Sequence, residues 1–131
     1  MEKLKMRIQR NNNLNDVFFD DTIGPGNGRH KYIITVNDCV CLDEEGIQEP
    51  NIILGEIEYQ KGPRNAEGSV RGVLDQDLLE IVRHRLQCFQ QGEYATRENA
   101  IALTHIEEAL LWMAKRANDR AERGVLGTMN K

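Results

Sequence analysis

Glycine and proline are spread so unevenly along these 131 residues that the chain must have two differently built parts. Gly24, Gly26, Gly28, Gly46, Gly55, Gly62, Gly68 and Gly72 precede residue 73, as do all three prolines, Pro25, Pro50 and Pro63. Residues 74–131 keep only Gly92, Gly124 and Gly127, each where a helix should end. Glycine and proline punctuate short strands and turns, whereas a helix interior excludes both. We therefore expect an α+β chain, a single domain over 1–131. A small N-terminal antiparallel β-sheet with loops occupies 1–73, and a C-terminal αα-hairpin occupies 74–131. A length of 131 residues suits one core, not two.

Two segments in the first part read clearly as strands. Lys31-Tyr-Ile-Ile-Thr-Val36 is β-branched and aromatic between turn residues, and Ile52-Ile-Leu-Gly-Glu-Ile-Glu-Tyr59 alternates with Ile53, Gly55, Ile57 and Tyr59 on one face. Val40–Leu42 gives a short third strand and Lys5–Ile8 a fourth. Residues 62–72 are polar and glycine-rich, a connector outside regular structure of the kind that carries function or moves.

In the second part Leu74, Leu78, Ile81, Val82, Leu86 and Phe89 recur at helical spacing, with Asp75 placed as N-cap and Gly92 at the C′ position. Thr96 should cap a second helix running to about Arg123, roughly 40 Å long at the helical rise. Asn99, Leu103, Ile106, Leu110, Met113, Ala117 and Arg120 alternate steps of four and three along it, a heptad seam that suggests pairing between subunits as well as within one.

Charge and apolar patterning exclude several function classes. Seventeen basic against twenty-one acidic residues give a net charge of -4, unlike a protein that coats DNA or RNA. No apolar run reaches the roughly 18–20 residues of a membrane span, and the N-terminus lacks the apolar core of a signal peptide. An intracellular chain is expected. Cys39, Cys41 and Cys88 have no zinc-knuckle spacing and read as reduced structural thiols. His30, His84 and His105 fall in different elements, outside any nucleophile or metal motif, and read as surface or helix-packing residues. Asp43-Glu-Glu-Gly46 reads as a solvated turn. No catalytic constellation, metal site or cofactor motif is present in the sequence.

Anion binding has more support. Arg116, Arg120 and Arg123 stand at i, i+4 and i+7, one stripe of the second helix, and guanidinium forks match phosphate oxygens. Cations in the last turns of a helix also complement its dipole, for about 0.3–1 kcal/mol each. Phe89, near the end of the first helix, serves either as core or as a stacking platform for a base. Asn99 follows just across the turn, and Arg64 sits in the glycine-rich connector. Aromatic ring, amide and arginine are the groups a nucleotide pocket needs. A structural helical oligomer or protein-binding adaptor is the alternative reading of the same residues, with a phosphodiesterase as a third.

The run Ile57-Glu-Tyr-Gln-Lys-Gly-Pro-Arg-Asn65, then Gly72-Val73, then the hairpin from Leu78 through Phe89-Gln-Gln-Gly92, Thr96-Arg-Glu-Asn99 and Ala109-Leu-Leu-Trp-Met113 to Arg123-Gly-Val-Leu-Gly-Thr128 resembles a known family. It is similar to the phage Thoeris anti-defence sponge proteins of the first type, and its hairpin to that of the anti-CBASS sponge proteins. The resemblance covers roughly residues 55–128. It implies a non-catalytic protein of the bacterial host's cytoplasm that holds cyclic ADP-ribose isomers, chiefly glycocyclic ADP-ribose, without cleaving them. Some members also bind cyclic di- or trinucleotides at a second site. It further implies a homo-oligomer, dimer or hexamer, with the pocket where two subunits meet. On that resemblance Phe89 stacks on the base, Asn99 makes a polar contact, Arg116 and Arg120 take phosphate and ribose, and Arg64 closes the loop. Arg123 and Thr128 are additional candidates.

Overall fold

The computed structural model describes residues 1–9, 14–37, 40–42, 48–50 and 52–128. Among these described residues are six strands and two long helices: β1 (Glu2–Lys3), β2 (Asn15–Phe19), β3 (Lys31–Val36), β4 (Val40–Leu42), β5 (Gln48–Pro50), β6 (Ile53–Glu58), α1 (Asp75–Gln90) and α2 (Arg97–Glu122). They group into two compact units, one of residues 1–62 with 70–72, the other of residues 63–69 with 73–131.

In the first unit four antiparallel strands lie in the order β1-β2-β3-β6, and β4 pairs with β5 in a separate two-stranded sheet. Cross-strand register sets Phe18 opposite Ile33 and Asp16 opposite Thr35, and these four residues are the buried face of β2 and β3. Lys3 Nζ reaches Asp16 Oδ1 at 3.4 Å, which offsets the cost of an almost fully buried carboxylate. The other face carries Tyr32 and Ile34 opposite Ile57 and Gly55, with the Tyr32 and Tyr59 rings edge-to-face at 5.8 Å.

Two expectations for the sheet change, and one strand was not expected. Residues 5–8 form no strand; β1 and β2 supply that edge instead. β2 escapes a hydrophobic-pattern reading because an inward position holds Asp16, which breaks the apolar alternation. In β6 a register shift with Leu54 as the extra residue sets Ile53 opposite the buried Thr35, so Ile53 leaves the alternation of Gly55 and Ile57. His30 is not a surface residue. It is buried beneath the β2–β3 loop, where a Cβ on Gly24 would meet its ring at 2.4 Å. Cys39 and residues 43–46 lie outside the described residues, as does the side chain of Cys41, whereas Cys88 is a free, exposed thiol on α1.

The connector closes through an antiparallel bridge, Lys61 and Val70 exchanging N–H···O bonds of 2.9 Å. Gly72 then runs against the backbone after β6. A Cβ there would lie 2.4–2.6 Å from Tyr59 C, Gln60 N and Glu58 O, so no larger residue fits without displacing main chain.

In the second unit α1 and α2 pack as an αα-hairpin. The N-cap of α1 is Leu74, one residue before the expected Asp75. Asp77 accepts the Leu74 N–H at 2.9 Å, so the acid that satisfies the helix start is Asp77 and not Asp75. Thr96 caps α2 as expected, its Oγ1 accepting the Asn99 N–H at 3.0 Å. The expected seam positions of α2 are its covered face: Asn99, Leu103, Ile106, Leu110, Met113 and Ala117 are half-buried and Arg120 buried. Ile81 and Val82 on α1, and Leu111 and Trp112 on α2, remain exposed. No helix among the described residues is long and apolar enough to cross a membrane.

Candidate functional site

The hairpin sorts its candidate residues to two ends. Phe89 and Asn99 flank the interhelical turn. Gln90 locks this turn by a reciprocal pair of bonds, its Nε2 donating to Thr96 O and its Oε1 accepting the Thr96 N–H, both 3.0 Å. That clamp fixes the last turn of α1 against the first turn of α2, and with it the two candidates. The Phe89 ring is 36% exposed, and the Arg85 guanidinium lies over it at 5.1 Å from the centroid. Such exposure is unlike a core aromatic and leaves an electron-rich surface available. The Asn99 N–H is spent on the cap, so its side-chain amide is the group left for another partner.

Arg116, Arg120, Arg123, Arg64 and Thr128 belong to the opposite end. Asn99 and Arg116 are seventeen residues apart on one continuous helix, about 25 Å at 1.5 Å per residue. One chain therefore does not bring Phe89 and Asn99 together with the arginines around a single small ligand.

At the arginine end the stripe divides. Arg116 and Arg123 are exposed and line an open groove of about 580 Å³ with Trp112, Lys115, Asp119 and Glu122. Lys115 pairs with Asp119 at 2.7 Å, so Asp119 neutralises the lysine and not the arginine stripe. Arg120 is only 9% exposed, and its Nη2 donates to Val125 O at 3.0 Å and to Thr128 O at 3.1 Å. The chain reaches those positions because α2 ends in a Schellman turn. Gly124 takes a left-handed φ of 73°, Gly124 N–H bonds Ala121 O at 3.1 Å, and Val125 N–H bonds Arg120 O at 2.9 Å.

Arg64 is exposed on the 63–69 loop, which is internally bonded. Ala66 N–H donates to Pro63 O at 3.1 Å and Ser69 Oγ to the same carbonyl at 2.7 Å. The loop also meets the tail after α2, Asn65 N–H donating to Gly127 O at 2.9 Å. Four residues here went unremarked as candidates. Trp112, 71% exposed, stands one turn before Arg116, and an exposed tryptophan at i−4 of an arginine was the signal available for it. Arg85 had a similar signal at i−4 of Phe89. Asn65 and Gly127 had none, because their contact spans more than sixty residues of sequence. Among the described residues no three His, Cys, Asp or Glu side chains gather as a metal site requires. Two-residue pairs do occur, His84 Nε2 at 3.7 Å from Cys88 Sγ on α1 and His105 Nδ1 at 3.7 Å from Glu108 Oε2 on α2.

Comparison with known proteins matches residues 51–117, just over half of the chain, to the family described as Acb2/Tad1, hairpin domain. Arg64, Phe89, Asn99 and Arg116 lie within that range, and Arg120, Arg123 and Thr128 beyond it. A protein of Bacillus phage SBSphiJ7 named Thoeris anti-defense 1 is 46% identical over 78 residues, 60% of this chain. The chain spans about half the length of that relative, 54% of it. The family match, which takes in β6 and the hairpin as far as residue 117, shows that the chain belongs to the Acb2/Tad1 hairpin-domain family.

Proposed function

We propose that the chain is a phage anti-defence sponge that acts in the cytoplasm of the bacterial host. It binds cyclic ADP-ribose-type signals, glycocyclic ADP-ribose first among them, and withholds them intact from a Thoeris effector. The observation that carries this reading is the lengthwise split of the site. A base platform (Phe89, Asn99) stands at one end of the hairpin and a phosphate-matched cluster (Arg116, Arg120 and Arg64, with Arg123 as an addition) at the other, about 25 Å apart along α2. Two hairpins laid antiparallel bring the platform of one chain to the arginines of the next and make two equivalent pockets. The homo-oligomer, a dimer and in turn a hexamer, is then a requirement of binding. The exposed Leu111 and Trp112, 69% and 71% accessible, are the apolar surface such pairing would cover.

Sequestration needs tight holding and no chemistry, so the residues serve to enclose. Arginine forks take the pyrophosphate oxygens and the ring stacks on the base. Cyclic di- or trinucleotides form the second ligand class of this reading.

Incubation with glycocyclic ADP-ribose, filtration, and heating of the retained fraction tests it. Release of intact ligand, one per subunit, supports the sponge. Release of linear ADP-ribose identifies a hydrolase, and an empty retained fraction leaves a structural oligomer.

A further inference from the structure

We infer that the first unit carries a binding site of its own, a basic cleft at the end of the four-stranded sheet that takes an extended acidic peptide segment of a partner protein. The cleft arises where two strands part. β1 is held against β2 at Glu2 and Lys3, and the Leu4 N–H still donates to Val17 O at 2.7 Å. Beyond Leu4 the chain leaves β2, and residues 5–9 form no strand. A cleft of about 970 Å³ opens there, walled by residues 3–7 together with Asp16 of β2 and Asn37 just after β3.

Charge, apolar surface and open main chain meet in this lining. Lys3, Lys5 and Arg7 outnumber one carboxylate, Asp16, which is 3% exposed and has Lys3 Nζ at 3.4 Å. The cleft is therefore positive in a chain whose net charge is -4. Between the cations stand Leu4, 40% exposed, and half-buried Met6, whose flexible thioether adapts to different apolar partners. Among the described residues neither Lys5 nor Met6 bonds another main-chain group, so their N–H and C=O can pair with an added strand. A nucleic acid fits less well, because no aromatic ring lines the cleft to stack a base. A small anion would use the cations and leave the apolar side chains and the open main chain idle. An extended peptide with alternating acidic and apolar residues uses all three. The sponge function is not a premise of this inference.

Fluorescence anisotropy of the full chain with a labelled peptide of alternating glutamate and valine tests it, alongside amide hydrogen exchange at Lys5 and Met6. The peptide should bind and slow exchange at both amides by about tenfold or more. Lys5 is exposed, so its replacement leaves the fold intact. Lys5→Glu should weaken peptide binding by roughly tenfold, and Lys5→Arg, which keeps the charge, should bind as wild type does. Methylating alternate peptide nitrogens should weaken binding by about as much, since it removes main-chain donors. No binding below about 1 mM peptide overturns the inference. Equal affinity in Lys5→Glu, or unchanged exchange at Lys5 and Met6 in the bound state, overturns it as well, because the peptide would then sit elsewhere. Tighter binding of oligothymidylate than of the peptide would make the cleft a nucleic-acid site and overturn the ligand class.

Discussion

Replacing Phe89 with leucine separates a stacking platform from a core side chain. Phe89 is 36% exposed and α1 has no fully buried residue, so the side chain is not sealed in a core. Leucine keeps most of the apolar volume, and volume-conserving swaps cost less than about 1.5 kcal/mol even in cores. What the fold loses is the Arg85 guanidinium over the ring at 5.1 Å, about 0.5–1 kcal/mol at an exposed site. The melting temperature should fall by only a few degrees, roughly 2–6 °C. Binding loses the π face entirely, about 1–3 kcal/mol for one stacked base, or roughly 5- to 150-fold in Kd. Calorimetry with glycocyclic ADP-ribose reads the second quantity, and differential scanning fluorimetry the first. A fall of about 10 °C or more, with normal affinity in the protein that survives folded, would show that the ring is core and refute the platform.

Arg116→Ala, which removes an exposed guanidinium at the groove, should weaken ligand binding by about 2–4 kcal/mol with the melting temperature little changed. Equal affinity by calorimetry would take Arg116 out of the site. Leu110→Glu puts a charge on the covered seam of α2 and should lower folding stability by about 2–4 kcal/mol in urea. Leu111→Glu, on the exposed side, should leave stability within about 0.5 kcal/mol yet shift sedimentation to smaller species. Wild-type sedimentation would remove that face from the assembly. Gly72→Ala drives a methyl into backbone at 2.4–2.6 Å and should cost about 1–3 kcal/mol of stability, and an unchanged urea midpoint would refute the close approach.

Local rules made the hairpin legible. Thr96 as a cap, Gly92 and Gly124 as helix stops and the seam from Asn99 to Arg120 all follow from spacing within one helix, where each residue's place is set by its neighbours three and four away. The strands β3 and β6 were legible from β-branched and aromatic residues bounded by turns, also a local signal, although the alternation read for β6 misplaced Ile53 beyond the register shift. β2 was not, because its inward Asp16 is stabilised by Lys3 from another strand, a partner that pattern cannot supply. The arginine stripe shows the boundary most clearly. Helical periodicity gives Arg116, Arg120 and Arg123 one azimuth, and so one common role. It says nothing of where the chain goes after the helix stops. The left-handed turn at Gly124 sends the tail back onto Arg120, whose Nη2 then donates to two of its carbonyls, while Arg116 and Arg123 line the groove. Residue type and spacing selected the candidates. The fate of each charge was decided by tertiary structure, because burial depends on which backbone arrives beside it, and that is set by contacts distant in sequence.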